Sequence, residues 1–378
     1  MSWLHVRYRV RSQAQEVDAL AHALALEQSV EVPQEAVRDP FVRDHIVGRV
    51  DAVTPAGDGE FHVDVSLAAA TTGGDAAQLV NMLFGNSSLH AHVELVDVEL
   101  PDGFAARFGG PRFGIGGLRR ILSVPARPLT CAALKPQGLA PDALAALART
   151  FALGGVDVVK DDHGLADQSY SPFRERVRAC QRAVDVACRE TGRRVLYAPS
   201  LVGAPRALRE QLRFARGEGV GIVLVAPALI GLPAFHELVA DGLDVPVLAH
   251  PAYAGAARVA PPLVLGKLFR LFGADATIFP HSGGRFAYSA AQCREIATAC
   301  RAPWQGLRPA LPVPAGGMSV ERVAEVVRFY GRDAMLLIGG SLLAAGDDLL
   351  ARTREFVGRV EAAAAAELPA APAAVPAE

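Results

Sequence analysis

The sequence contains no uninterrupted apolar run of about 18 or more residues, as a membrane-spanning helix requires, although 51% of its residues are hydrophobic. It also lacks an excess of positive charge, since its formal net charge is −2 and no polybasic stretch is present. No basic segment followed by an apolar run opens the chain, so we expect no secretory signal. These absences predict a cytoplasmic protein that binds neither nucleic acid nor membrane.

Cysteine is scarce, and its pattern excludes a disulfide scaffold. The five cysteines are Cys131, Cys180, Cys188, Cys293 and Cys300. Their number is odd, and their spacing matches neither a zinc site nor a disulfide framework. We interpret them as small packing residues in a reducing compartment.

The first hundred residues alternate between strand and helix patterns. The pattern predicts strands at 5–12, 41–53, 61–67 and 91–100, and helices at 14–29 and 75–83. The resulting order, βαββαβ, is that of a ferredoxin-like α+β sandwich. A glycine-rich segment follows at 108–115, and we place the end of an N-terminal domain, 1–108, within it.

Residues 109–361 repeat a strand followed by a helix eight times. The predicted strands are 129–135, 156–160, 194–199, 221–227, 246–249, 276–280, 310–314 and 334–338. Eight such units predict an α/β fold of the TIM (β/α)8 barrel type. A doubly wound sheet is the alternative, because periodicity does not separate the two. Polar or glycine residues close six of the eight units, which favours a barrel with its active site at those strand ends.

The chain ends in a segment rich in alanine and proline, residues 362–378. Residues 362–366 have the composition to extend a helix, but Pro369, Pro372 and Pro376 prevent a long one. We expect this tail to be disordered from about residue 368.

One strand end carries an unusual density of polar groups: Lys160, Asp161, Asp162 and His163. Such groups are costly to bury unless something pairs with them. A buried lysine has a lowered pKa, and its neutral amine adds CO2 to become a carbamate, an oxygen ligand. With Asp162 it would suit Mg²⁺, while a nitrogen of His163 would suit other divalent metals. A salt bridge between Lys160 and an aspartate, without metal, is the equally weighted alternative.

Further candidates stand at other strand ends. Lys135 closes the first barrel strand and is a candidate general acid or base. His250 and His281 follow the fifth and sixth strands, where they would contact phosphate or hydroxyl groups or move protons. The pairs Gly316-Gly317 and Gly339-Gly340 close the last two strands. Their N–H groups would bind a phosphate, or the glycines merely permit tight turns.

Several motifs stand in a fixed order along the chain. In the barrel they are Lys135–Leu139, Gly154–His163, Leu311–Gly317 and Leu337–Gly340, and before it Ala25–Ser29, Gly85-Asn86 and Gly110–Ile115. Together they resemble the RuBisCO large-subunit superfamily over nearly the whole chain, up to about residue 360. The resemblance implies that Lys160 is a carbamylated metal ligand, Asp162 the next ligand, and Lys135 the acid or base acting on an enediolate.

Departures from that pattern indicate the RuBisCO-like branch, form IV, rather than a carboxylase. They are His163 for a glutamate ligand, Gln137 for a second lysine, Pro251 for an arginine, Ala315 for a serine, Val30–Pro33 for a Thr-Gly-Thr-Trp pattern, and a loop at 281–286 without a lysine. The replaced residues are those that the resemblance links to the addition of a gas molecule to the enediolate and to the binding of a second phosphate. The parts needed for enolisation remain.

The resemblance implies an enzyme that forms an enolate of a phosphorylated keto-sugar or oxo-sugar acid, stabilised by Mg²⁺. It would be an isomerase or tautomerase, as for methylthioribulose phosphate, or a decarboxylase, as for 3-oxo-isoapionate phosphate. His163 is either a metal ligand or the base of a metal-free site. A catalytically inactive phosphate-binding or regulatory protein is the alternative, which the retained Lys135 and Lys160–Asp162 disfavour.

The resemblance also implies a homodimer with shared active sites. In such a dimer Glu27 and Asn86 reach the barrel of the neighbouring subunit. The alternative for Asn86 is a cap at the end of the helix predicted before Gly85.

Overall fold

The protein forms two sheets, an antiparallel one in the first hundred residues and a parallel one in the remainder. We describe them from a computed structural model that covers residues 2–286 and 288–367. Over these residues no helix combines the length and apolar character that crossing a bilayer requires.

The antiparallel sheet has the ferredoxin-like order β2-β3-β1-β4. Its strands are β1 (Trp3–Arg11), β2 (Arg49–Gly57), β3 (Glu60–Ala68) and β4 (Val93–Glu99). The helices of this region are α1 (Val17–Glu27), α2 (Pro40–His45) and α3 (Ala76–Phe84). Alternate residues of β1, such as Val6 and Tyr8, are buried against the helices. The predicted sandwich is therefore confirmed.

One predicted strand, 41–53, is wrong in its first half. Residues Pro40–His45 form α2, and the strand begins only at Arg49. The Asp39 carboxylate accepts a hydrogen bond from the Val42 amide at 3.1 Å, and a proline occupies the first helical position. Both features start helices, and they outweigh the β propensity of the residues that follow.

The glycine-rich segment after the sheet is anchored to the barrel. Oδ1 of the buried Asp275 accepts hydrogen bonds from the amides of Phe113 and Gly114, each at 2.7 Å. Its Oδ2 accepts one from the amide of Val247 at 2.9 Å. Helix α4 (Gly114–Leu122) starts from this anchor. The division of the chain at residues 108 and 109 stays a prediction.

The parallel sheet curls into a nearly closed barrel. Its strands are β5 (Leu129–Leu134), β6 (Val158–Asp161), β7 (Leu196–Ala198), β8 (Ser200–Leu201), β9 (Val223–Val225), β10 (Val247–Ala249), β11 (Ala276–Pro280), β12 (Leu311–Ala315) and β13 (Met335–Ile338). The order runs from β7 through β6, β5, β13, β12, β11, β10 and β9 to β8. Because β7 and β8 are halves of one strand interrupted at Pro199, the two ends of the sheet meet. This closure confirms the barrel and excludes the doubly wound alternative.

Helices surround the barrel. They are α5 (Pro141–Leu153), α6 (Phe173–Thr191), α7 (Pro205–Gly217), α8 (Pro227–Ile230), α9 (Leu232–Ala240), α10 (Phe269–Leu271), α11 (Ala290–Arg301), α12 (Val323–Tyr330), α13 (Gly340–Leu343) and α14 (Leu349–Glu367). A π-helical segment, Pro262–Leu268, runs directly into α10. Helix α14 extends to Glu367, in line with the expectation that residues 362–366 extend a helix, and the start of the tail at residue 362 stays a prediction. Residues 368–378 lie outside the described residues.

Candidate active site

The alternation of side chains along β6 sends neighbouring polar residues to opposite sides of the barrel wall. Val158 packs in the barrel interior, whereas Val159 packs in the outer layer against the helices. With a period of two, Lys160 and Asp162 follow Val158 inward and Asp161 follows Val159 outward. The polar cluster therefore has two separate roles.

Asp161 belongs to the scaffold. Its carboxylate is fully buried and lies 3.0 Å from Nε of Arg176 on α6, which is also fully buried. It accepts further hydrogen bonds from the Tyr197 hydroxyl at 2.7 Å and the Ser200 amide at 3.1 Å. A buried charge so well paired fixes the strand end on which Lys160 and Asp162 stand.

Lys160 is a buried amine, and no carboxylate of residues 2–286 or 288–367 is recorded at ion-pair distance from it. Its Nζ donates a hydrogen bond to the carbonyl oxygen of Asp161 at 2.7 Å. Burial lowers the pKa of Lys160, and the nearby charge of Lys135 acts in the same direction. The salt bridge considered for Lys160 is therefore absent among the described contacts, and the amine has the environment that favours its neutral form.

The ion pair at this strand end is made by Lys135 instead. Its Nζ lies 2.6 Å from Oδ1 of Asp162, and Nδ1 of His163 lies 3.4 Å from the same oxygen. Burial alone would raise the pKa of Asp162, but His163, Lys135 and the charge of Lys160 together hold this pKa well below its usual range. Asp162 is thus a charged carboxylate facing the barrel mouth.

Two histidine rings stack beside this carboxylate. The rings of His163 and His250 are 4.1 Å apart at their centroids and inclined by 11°. Nδ1 of His250 accepts a hydrogen bond from the Ala252 amide at 3.1 Å, which assigns the ring proton to Nε2. Burial, reinforced by the charge of Lys160, lowers the pKa of His250 to about 2. His250 is therefore a neutral ring with an N–H donor.

His281 lies beside the start of the Gly316-Gly317 pair, since its amide donates a hydrogen bond to the carbonyl oxygen of Ala315 at 2.7 Å, and no described hydrogen bond or ion pair links it to Lys135 or Lys160. Its ring is buried, and Nδ1 lies 2.9 Å from the hydroxyl of Tyr330 on α12. Its Nε2 lies 3.5 Å from Nη2 of Arg322. Because arginine only donates, the network assigns Nε2 as the acceptor and places the proton on Nδ1. Burial lowers the pKa of His281, and Arg322 adds to the effect.

The two glycine pairs stand at the carboxyl ends of the adjacent strands β12 and β13. Gly316 and Gly317 have φ values of 79° and 65°, in the left-handed region that favours glycine. A Cβ atom on Gly317 would lie 2.5 Å from Cα of Gly284, whereas one on Gly316 would meet nothing within 4 Å. Gly339 faces Lys135, whose Cε would lie 3.8 Å from a Cβ there. Gly340 begins α13.

Glu27 and Asn86 lie together, apart from the barrel residues. Nδ2 of Asn86 donates to Oε1 of Glu27 at 3.0 Å and to Oε1 of Glu31 at 2.6 Å. Asn86 begins a short 3₁₀ helix after Gly85, so the proposed cap on α3 is not formed by its side chain. In the part of the chain that the structure describes, no hydrogen bond or ion pair links either residue to Lys135 or Lys160.

Sequence reasoning did not select four residues that shape this site. They are Arg176 and Tyr197, which hold Asp161, and Arg322 and Tyr330, which contact His281. One compositional signal for the site was also available, since the chain has only three lysines, Lys135, Lys160 and Lys267, among 38 basic residues. Two of these three lysines stand in the candidate site. A buried lysine can lose its proton, whereas an arginine remains charged, so lysine is the residue suited to this position.

Comparison with known proteins identifies the family. The family model for the ribulose bisphosphate carboxylase large chain, catalytic domain, matches residues 114–347. Ribulose bisphosphate carboxylase-like protein 1 of Rhodopseudomonas palustris is 54% identical over 94% of this chain and 96% of that protein. The 5-methylthioribulose-1-phosphate isomerase of Rhodospirillum rubrum is 51% identical over 96% of this chain and 97% of that protein.

A solved structure agrees with these relatives. The crystal structure of a RuBisCO-like protein from Rhodopseudomonas palustris matches with a TM-score of 0.89 and 48% identity. The match covers 96% of this chain and 98% of that one. The chain therefore belongs to the ribulose bisphosphate carboxylase large-chain family and, within it, to the RuBisCO-like, non-carboxylating enzymes.

Proposed function

We propose that the chain is an isomerase that moves a proton next to the ketone of a phosphorylated keto-sugar, with 5-methylthioribulose 1-phosphate as the first candidate substrate. The observation that carries the proposal is that Lys135 pairs with the charged carboxylate of Asp162 while the buried amine of Lys160 stands on the strand that leads to this carboxylate. The name of the Rhodospirillum rubrum relative supports this substrate, because the similarity spans nearly the whole of both chains.

Proton transfer is assigned to Lys135. The proposal requires Lys135 to enter the reaction as an amine, having released one proton of its ion pair with Asp162 to solvent. The amine removes the proton from the carbon beside the ketone, and the resulting ammonium returns it to the neighbouring carbon, so the transfer itself changes no net charge. Its side chain is 37% exposed at the barrel mouth, within reach of a bound molecule. Neutral His250 donates a hydrogen bond from its Nε2–H to the substrate oxygen that becomes negative during the transfer.

The phosphate is assigned to the two glycine pairs. Gly316-Gly317 and Gly339-Gly340 stand at the ends of adjacent strands, where backbone N–H groups collect at the barrel mouth. Closeness of Gly339 to Lys135 supports a phosphate that sits near the reacting carbons.

The residues present fit a divalent cation held through a carbamate. The described residues contain no group of three His, Cys, Asp or Glu side chains arranged for a metal ion. The buried amine of Lys160 suits addition of CO2, and the resulting carbamate would supply the missing oxygen ligand beside Asp162 and His163. A cation there, when bound, draws electrons from the ketone oxygen and stabilises the negative charge that develops on it.

Solvent deuterium exchange tests the proposal. The protein is incubated in heavy water with 5-methylthioribulose 1-phosphate, Mg²⁺ and bicarbonate, and C–H loss and product formation are followed by NMR. We expect exchange beside the ketone and an isomeric product, both abolished in Lys160→Ala. Lys267→Met is the matched control, since this lysine binds Asp97 outside the site. Failure to exchange a ligand that binds tightly would favour the binding-protein alternative.

The same experiment separates isomerisation from the other enolate reactions that the resemblance implies. A tautomerase would exchange the proton of a diketo-sugar phosphate without isomerising the ketose. A decarboxylase would release CO2 from an oxo-sugar acid phosphate. Either result, without turnover of 5-methylthioribulose 1-phosphate, overturns the proposed substrate.

We further propose a homodimer in which Glu27 and Asn86 complete the site of the partner. Support comes from their hydrogen bond to each other and from the exposed Leu89 beside them, 83% accessible. Mixing inactive Lys160→Ala and Asn86→Ala proteins should restore about a quarter of wild-type activity, because half of randomly assembled dimers carry one intact site. Two inactive variants that never complement each other contradict a shared site.

A further inference from the structure

Arg322 joins two separate parts of the candidate site. It directly precedes α12, and its Nη1 donates a hydrogen bond to the carbonyl oxygen of Gly317 at 3.2 Å. Its Nη2 lies 3.5 Å from Nε2 of His281. The guanidinium therefore bridges the carboxyl ends of the adjacent strands β11 and β12.

A third segment closes around the same guanidinium. A Cβ atom on Gly283 would lie 3.4 Å from Nη1 of Arg322, and one on Gly284 would lie 3.0 Å from the carbonyl of Gly316. The loop after β11 thus packs its two glycines directly on the glycine pair of β12. The close packing places the guanidinium of Arg322 beside the backbone of Gly283 and Gly317.

Glu325 holds the guanidinium from the solvent side. Its two carboxylate oxygens accept hydrogen bonds from Nη2 of Arg322 at 2.9 Å and from Nε at 3.1 Å. The glutamate side chain is 59% exposed and the arginine side chain 30% exposed. An exposed pair of this kind contributes little stability, so it serves to orient Arg322 rather than to hold the fold.

Other cations expected near the strand ends are missing from this chain. Pro251 follows His250 where the resemblance implies an arginine, and the loop 281–286 contains no lysine. Arg285 in that loop is exposed and lies over the ring of its neighbour Phe286 at 5.8 Å. Arg322 is the cation that the described contacts bring to Gly317.

We infer that Arg322 is a phosphate-binding residue, which receives the phosphoryl group of the substrate together with the backbone of Gly316 and Gly317. Glu325 binds Nε and one side of Nη2, and this leaves the Nη1 and Nη2 end of the guanidinium, which contacts Gly317 and His281, to donate to phosphate oxygens. The neutral ring of His281 keeps Nε2 beside Arg322 without adding a second charge. The inference rests on the proposed function for the phosphorylated nature of the substrate.

Binding of inorganic phosphate, measured by calorimetry, tests this inference independently of catalysis. Arg322→Gln should weaken phosphate binding about ten- to hundredfold, the loss expected for charge-assisted hydrogen bonds. Arg322→Lys, which keeps the charge without the guanidinium, should lie between that variant and wild type. Glu325→Gln keeps an amide oxygen that accepts a hydrogen bond from Arg322 and removes a negative charge that repels phosphate, so it should bind phosphate at least as tightly as wild type.

Kinetics then separate binding from a merely structural role. With 5-methylthioribulose 1-phosphate, Arg322→Gln should raise KM by a similar factor and leave kcat within about threefold. Circular dichroism and urea unfolding verify that the variant folds. A loss of kcat with unchanged phosphate binding would show that Arg322 only positions the loop.

Any of three results overturns the inference. The wild-type protein binds no phosphate, Arg322→Gln binds phosphate as tightly as wild type, or Arg285→Gln loses phosphate binding while Arg322→Gln keeps it. Phosphate binding that depends on Arg322, in a protein that does not turn over the proposed substrate, overturns the proposed function and leaves the inference standing.

Discussion

Nζ of Lys135, at the end of β5, lies 2.6 Å from Oδ1 of Asp162, which follows the adjacent strand β6. The lysine side chain is 37% exposed and the aspartate side chain 8% exposed, so the pair links the open mouth of the barrel to its buried interior. This arrangement places an exposed amine, for which we propose the role of proton carrier, on the strand next to that of the buried amine of Lys160.

Removing the amine of Lys135 should reduce proton exchange strongly. We expect Lys135→Met to lower the exchange rate about 10²- to 10⁴-fold, the usual contribution of a positioned acid or base. The rate is measured as C–H loss in heavy water. Lys267→Met should retain the wild-type rate, and an active Lys135→Met protein would assign the proton transfer to another group.

The scaffold pair of Asp161 and Arg176 should determine stability rather than chemistry. Arg176→Met leaves a buried carboxylate unpaired and should lower the free energy of unfolding by about 3–5 kcal/mol. Arg178→Met, on the same helix, breaks an exposed pair with Glu218 and should lower the free energy of unfolding far less. Urea unfolding measures both. If both variants lost the same free energy of unfolding, burial would not be what makes the pair of Asp161 and Arg176 important for stability.

Acid should destabilise the protein through His250. Its pKa is about 2 in the folded protein, whereas an unfolded histidine has a pKa of about 6.5. Between these values the unfolded state binds one more proton, so stability falls as pH decreases below about 6.5. This group alone should cost about 2 kcal/mol at pH 5 relative to pH 7.5.

The comparison with His250→Gln isolates that contribution. The difference in unfolding free energy between wild type and variant should shift against wild type by about 2 kcal/mol when the pH falls from 7.5 to 5. Urea unfolding at the two pH values supplies the measurement. A difference that does not change with pH would mean that His250 is protonated or solvated in the native state.

The two glycines of one pair should respond differently to alanine. Gly316→Ala places a side chain in open space and incurs only left-handed backbone strain, about 1 kcal/mol. Gly317→Ala adds a contact at 2.5 Å with the backbone of Gly284, so it should displace the loop and weaken phosphate binding further. Calorimetry with inorganic phosphate compares the two. A greater loss in Gly316→Ala would be inconsistent with this packing.

The strand-helix repeat of the barrel could be predicted because each strand is a short apolar run bounded by glycine, proline or charge. The error at 41–53 arose where a local capping signal at Asp39 competed with β propensity. The interruption at Pro199 was missed because periodicity does not show where a strand loses its hydrogen-bond donor. Local sequence specifies element type better than it specifies element ends.

The strand-end positions of Lys135, Lys160 and His250 could also be predicted, since Lys135 and His250 directly follow their strands and Lys160 is the penultimate residue of β6. Arg322 could not, because it precedes a helix and reaches His281 only through the packing of α12 on the barrel. The division of labour between Asp161 and Asp162 follows from strand alternation and was available from the sequence. Which neighbours each aspartate finds depends on the folded chain.

Because the chain has only three lysines, lysine signals in an NMR spectrum can report on three separate places in the molecule. The side-chain amines stand at three chemically distinct places: Lys135 at the open mouth, Lys160 in the interior, and Lys267 bound to Asp97 of the antiparallel sheet. Isotope-labelled lysine would therefore give a spectrum of three signals, each reading one environment. Ligand arrival, CO2 capture and movement between the two sheets would each be visible in a different line of that spectrum.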